Sequence, residues 1–217
     1  MKSAVGVNSK MELNDAALWR LFRAIASGDR ASAFELLDTQ AGLAQAVIAT
    51  GATRQASSKN YLSGITSYIY KGDTALHIAA AAHRPELVRA LIGLGANVGA
   101  RNRRGAEPLH YAAVGAPGAS SRDAGAQSTT IACLIEAGAD PNATDKGGIA
   151  PLHRAIRSRS AEAVKALLAS GANPQMRTGR GSTAMQLATG HSGKSGSGSP
   201  EAKAQQALIV QLLASAG

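Results

Sequence analysis

Aromatic side chains are scarce in this sequence. Two Phe, four Tyr and one Trp make up 3% of 217 residues, and alanine and glycine stand in their place. A core of alanine and leucine packs thin elements closely, which suits stacked helices better than a β-sandwich. Cysteine is nearly absent. Cys133 alone cannot form an internal disulfide, and this favours a reducing, cytoplasmic setting. No stretch approaches the ~20 apolar residues of a membrane helix. The first residues, MKSAVGVNSKMELNDAALWR, contain no apolar leader core and carry Glu12 and Asp15, so no secretory or transit segment is expected. Acidic residues are outnumbered, 14 against 23 Lys and Arg, for a net charge of +9. That balance admits an acidic partner and also serves solubility. With 45% hydrophobic residues the chain is too apolar to be a disordered tail.

What the sequence does contain is a repeat. KGDTALHIAA from Lys71, RGAEPLHYAA from Arg104, GGIAPLHRAI from Gly147 and RGSTAMQLAT from Arg180 align, with starts 33, 43 and 33 residues apart. The other end of each unit recurs as LIGLGANV, LIEAGADP and LLASGANP. LFRAIASGDRASAFELL at 21–37 is a fainter first copy. The reading is a single array over 12–217 behind a flexible 1–11 arm, with units at about 12–44, 71–103, 104–146, 147–179 and 180–217. Insertions fall at about 45–70, 115–127 and 190–200. Within a unit, Leu76, Ala79 and Ala80, then Leu87, Val88, Leu91 and Ile92, recur at helical spacing on two short segments. Segments this short need neighbours to bury their apolar faces. Gly95, Gly138 and Gly171 sit where each second helix should end, and Pro85, Pro108, Pro151 and Pro200 where helices should begin.

These motifs resemble the ankyrin repeat family. Thr74-Ala75-Leu76-His77, Pro108-Leu109-His110 and Pro151-Leu152-His153 carry its first-helix signature, and Gly95-Ala96-Asn97, Gly138-Ala139-Asp140 and Gly171-Ala172-Asn173 its closing turn. The resemblance implies an all-α solenoid of stacked helix pairs with hairpin-like turns. It also implies that His77, His110 and His153 bond to backbone and tie neighbouring turns together, rather than converging on a metal. His83 and His191 read as isolated and solvated. Cys133 reads as a small buried hydrophobe, and Trp19, Phe22 and Phe34 as the core of an N-terminal cap.

Ala188 to Ser195 loosely fits a phosphate-loop pattern, but it follows a repeat helix and runs into Gly/Ser-rich sequence rather than opening a helix from a strand. A nucleotide-binding protein or enzyme using the 190–200 loop is therefore an alternative only. No catalytic constellation is evident and no cofactor is expected. The 115–127 and 190–200 insertions read as flexible spacers. The 45–70 insertion holds Tyr61, Tyr68 and Tyr70, so it reads either as a contact patch or as packing against its own repeats.

Cations line up on the turns: Arg101, Arg103, Arg104, Lys146, Arg177 and Arg180, with Arg154 and Arg157 on the fourth inner helix. The resemblance places turns and inner helices on the concave recognition face, with Tyr111 and Ile78 among the cations. The expected function is non-catalytic recognition of another, acidic protein by these residues, with Tyr61, Tyr68 and Tyr70 as a second patch. Nucleic-acid binding through the stripe is a further alternative. It lacks the interleaved aromatics and amides that base recognition needs. The last helix, ALIVQLLASAG, lacks a polar capping unit, so the expected state is a monomer or weak self-association.

Overall fold

The computed structural model describes residues 4–53, 57–115, 124–190 and 199–216. Helix α1 (Ala4–Ser27) pairs with α2 (Arg30–Thr39). A small hairpin follows, β1 (Tyr61–Leu62) antiparallel to β2 (Ser67–Tyr68), with Tyr61 opposite Tyr68. The helix pairs α3 (Ala75–Ala81) and α4 (Pro85–Gly93), α5 (Pro108–Ala112) and α6 (Ala124–Glu136), α7 (Pro151–Arg157) and α8 (Ala161–Ala169), and α9 (Ala184–Thr189) and α10 (Pro200–Ser215) complete the array. α1, α3, α5, α7 and α9 stack as an inner row, and α4, α6, α8 and α10 as an outer one. This is the all-α solenoid that the repeats predict.

Local chemistry sets the ends of these helices. Pro85, Pro108, Pro151 and Pro200 occupy first-turn positions, where a missing N–H costs nothing. Behind α4, Gly95 takes φ of 84°, and its N–H and that of Ala96 bond back to Ile92 and Leu91. That left-handed cap satisfies the last carbonyls of the helix at no Cβ cost. Gly138 and Gly171 do the same behind α6 and α8.

Stacking supplies the stability that short helices lack. Leu76, Ile78, Leu91, Leu109, Ile131, Val164 and Leu167 are fully buried, and alanines such as Ala79, Ala112, Ala155 and Ala163 let neighbouring helices approach closely. Successive turns are stitched by main-chain bonds: Arg103 N to Lys71 O at 2.7 Å, Lys146 N to Arg104 O at 2.9 Å and Gly179 N to Gly147 O at 3.1 Å. At the N-terminal end, Leu18, Leu21, Phe22 and Ile25 are sealed off, with Trp19 edge-on to Phe22 at 5.9 Å. Cys133 is buried, and that burial raises its thiol pKa.

Several local expectations change. Helix α1 begins at Ala4, within the segment read as an arm; its sequence contains no proline to stop it. α6 begins at Ala124, so the second insertion ends earlier than residue 127. Gln127 explains this: its side chain donates to Ala112 O at 2.8 Å and accepts from Ser160 Oγ at 2.8 Å, anchoring the start of α6 in the stack. His83 is buried rather than solvated, with its ring Nε2 3.1 Å from Ala112 O. Most of the 115–127 insertion, its residues 116–123, lies outside the described residues, as do 191–198 of the 190–200 loop and with them His191.

The 45–70 insertion folds onto the array. Ile48 exchanges main-chain bonds with Asp73 and Gly72, and Ala52 N bonds to Ile69 O. Leu62, Ile65 and Ile69 are buried. A Cβ on Gly64 would fall 2.1 Å from Ala26 O, so the hairpin presses directly on the end of α1. Among the described residues no helix is long and apolar enough to cross a membrane.

Candidate functional site

The turns are held by the recurring histidines. Nδ1 of His77, His110 and His153 accepts the backbone N–H of Thr74, Glu107 and Ala150 at 3.1, 3.2 and 3.0 Å. This leaves the proton on Nε2, which donates to Ala106, Ile149 and Met176 carbonyls of the following turn at 3.1, 3.0 and 3.1 Å. Each ring thus ties its own helix start to the next unit. Burial lowers all three pKa values, that of His110 to about 4, where the nearby Arg154 charge adds to the effect. In the last unit Gln186 replaces the histidine and still closes the cap with Thr183 at 2.9 Å.

On this frame sits a cleft of about 340 Å³, bounded by the inner helices, the turns and the hairpin. Its floor is a buried polar network. Asp73 is fully buried and accepts from Tyr70 N at 2.7 Å, Asn102 Nδ2 at 2.8 Å and Tyr111 Oη at 3.0 Å. Tyr111 also accepts from Asn102 Nδ2 at 2.9 Å and meets the His77 ring edge-on at 5.2 Å. Burial, then the Asp73 charge, pushes its phenol well above the usual range. Tyr111 is 6% exposed. The expectation that it projects toward a partner is therefore corrected: its hydroxyl points down into the network, and only part of its ring shows in the floor. Ile78, expected beside it, is wholly buried.

The rim is cationic and partly pre-set. On one side Arg104 donates to Tyr70 Oη at 3.0 Å and lies over that ring at 5.1 Å, with Arg103 over it at 5.3 Å. On the other, Arg154 donates to Asp145 Oδ2 at 2.9 Å and sits 6.0 Å from the Tyr111 ring centre. Partial burial of Asp145 opposes ionisation. The Arg154 bond and the N–H groups of Ile149 and Gly147 outweigh it and hold the pKa below the ordinary value. Arg157 is exposed at the end of α7. Ile65, Thr66 and Ser67 of the hairpin form the facing wall, with Thr66 in the left-handed region at φ of 49°.

The other candidate residues divide. Arg101 is bound to Glu107 at 2.8 Å and reaches Thr144 O at 3.3 Å, so it braces two turns. Arg177 caps its own turn on Gly181 O at 2.7 Å. Lys146 and Arg180 are exposed on turns outside the cleft. The Tyr61 and Tyr68 rings meet at a tilt of 59° with centroids 5.0 Å apart and remain 42% and 41% exposed, also outside it. Sequence reasoning missed Asp73, Asn102, Asp145 and the 65–67 wall. Asn102, Asp145 and Thr178 do share a signal: each stands two residues before a unit start and accepts turn N–H groups through its side chain.

Two family descriptions match this chain: "Ankyrin repeats (3 copies)" over residues 21–120 and "Ankyrin repeats (many copies)" over 134–188. Among similar proteins, Ankyrin repeat and SOCS box protein 16 of Mus musculus is 37% identical over 116 residues, 53% of this chain and 25% of its own length. Tyrosine-protein kinase Shark of Drosophila melanogaster is 33% identical over 118 residues, 54% of this chain and 12% of its own. NF-kappa-B inhibitor delta of Mus musculus is 34% identical over 110 residues, 49% of this chain and 29% of its own. The chain thus spans less than a third of each of these relatives. Helix pairs, histidine ties, glycine caps and family matches agree over the array, and the chain belongs to the ankyrin repeat family.

Proposed function

We propose that this chain is a non-catalytic recognition module that binds an acidic segment of another protein across the inner helices and turns. The observation that carries the reading is a surplus of cations on one face. Among the described residues, Arg103, Arg104, Lys146, Arg157 and Arg180 have no acidic partner within ion-pair distance. Arg101 and Arg154 do, and they serve the scaffold first. A rigid stack holds these groups at set spacing, so little freedom is lost on association. Unpaired surface cations attract an oppositely charged partner from a distance. The relatives carry the same repeats within much longer chains, which fits a module joined to other functions.

The test is affinity capture from nuclease-treated host lysate. Wild type is compared with a variant carrying Arg103→Glu, Arg104→Glu, Arg157→Glu and Arg180→Glu, which spares both ion-paired arginines. The expected result is a protein captured by wild type in low salt, released by high salt, and not captured by the variant with an unchanged circular dichroism spectrum. Capture that survives the charge reversal would remove the cationic face from consideration. Capture seen only in a parallel lysate without nuclease would transfer the face to nucleic acid.

A further inference from the structure

We propose that the 45–70 insertion converts the open inner face into a pocket for one acidic and one apolar side chain, two residues apart in an extended partner segment. The inference rests on the protein-recognition reading above and names what the cleft selects.

Asp145, the cleft's carboxylate, is consumed by Arg154 and two backbone N–H groups. The phenol in the floor is turned away into Asp73. Of the lining residues, Arg104, Arg154 and Arg157 carry guanidinium groups and Asp145 alone a carboxylate, while Asp73 beneath the floor is taken up by Tyr70 N, Asn102 and Tyr111. A carboxylate entering here meets charged donors and few unsatisfied acceptors, whereas an ammonium or guanidinium group would meet like charge. Arg104 and Arg154 are already oriented by Tyr70 and Asp145, so less conformational freedom remains to be lost.

The cationic half is continuous with an apolar half made by Ile65, Val114 and Ile149. Val114, just beyond the end of α5, is 39% exposed and lines the cleft. A volume of about 340 Å³ lies near the lower end of ligand pockets. It admits one or two side chains but no helix. In an extended peptide, residues i and i+2 point to the same side. One can therefore place its carboxylate between Arg104 and Arg157 while the other lies against Val114 and Ile65. The wall that closes the pocket is Ile65 to Ser67, which belongs to the insertion and has no counterpart in the other units.

The test is selection of a displayed library of short random peptides against the full chain, followed by anisotropy titration of one selected peptide. Two variants serve as controls, Arg104→Glu with Arg157→Glu, and Val114→Trp, which fills the apolar half from an exposed position. Thermal melts establish that each folds. The expected result is enrichment of Asp or Glu two positions from a large aliphatic or aromatic residue. Affinity should fall about tenfold or more in either variant, and on changing the peptide's acid to its amide. Selected peptides without an acid, or binding unchanged in Val114→Trp, would overturn the proposal. If lysate capture is lost in the four-arginine variant but persists in Val114→Trp, the recognition face stands and the pocket falls. If capture persists in both, both readings fall.

Discussion

Replacing Tyr111 with Phe distinguishes a scaffold residue from a contact residue. The substitution keeps the ring, its edge contact with His77 and the shape of the cleft floor. It removes one hydroxyl, which donates to Asp73 at 3.0 Å and accepts from Asn102 at 2.9 Å. Asn102 keeps its bond to Asp73 but loses the acceptor of its other N–H, which adds to the cost. Asp73 loses one of three partners while remaining fully buried. A hydrogen bond to a charged group contributes about 1.5–3 kcal/mol, and a middle value of about 2 kcal/mol applies here. For a chain of this size that corresponds to a fall in Tm of about 4–8 °C. Urea unfolding followed by circular dichroism should show a lower midpoint with an unchanged slope. Binding of a selected peptide should change little. An unchanged midpoint with weakened binding would refute the reasoning and return the hydroxyl to the partner surface.

Two further predictions concern the frame. Because burial lowers the pKa of His77, His110 and His153, their folded forms are neutral and the unfolded chain takes up protons first. The stability this provides is complete above the unfolded value of ~6.5 and is lost as pH falls below it, for His110 down to about 4. The interval at His110, from 6.5 to about 4, corresponds to about 3 kcal/mol. Urea midpoints should fall across that window and less steeply in His110→Gln, which copies the Gln186 cap; a flat profile would show that the rings are not held neutral by burial. The turn glycines should also differ among themselves. Gly171→Ala, at φ of 88° with open space around it, should cost about 1–2 kcal/mol. Gly72→Ala should cost about 1–3 kcal/mol more, because its Cβ would lie 2.7 Å from the Asn102 backbone. Equal losses by denaturant titration would contradict the close approach of those turns.

The period of 33 residues, visible between Lys71 and Arg104 and again between Gly147 and Arg180, determined the helix pairs, their order and the burial of Leu76, Leu109 and Leu152. Gly95, Gly138 and Gly171 were legible as caps, and the histidines as ties, because those roles act within one unit or between adjacent ones. A solenoid contacts only its neighbours, so local pattern and global fold coincide. The candidate site was legible only as a list of cations. Sequence position does not reveal that Arg101 and Arg154 have acidic partners while, among the described residues, Arg104 and Arg157 do not. Nor does it show that Tyr111 faces inward, since its partner Asp73 lies 38 residues away. Tyr70, 34 residues from Arg104, meets it only because the insertion folds back over the first turn. The repeating frame is written in the chain itself, because each unit specifies its own backbone. Which side chains the frame consumes and which remain free follows from burial and pairing across stacked turns, at distances that no single unit encodes.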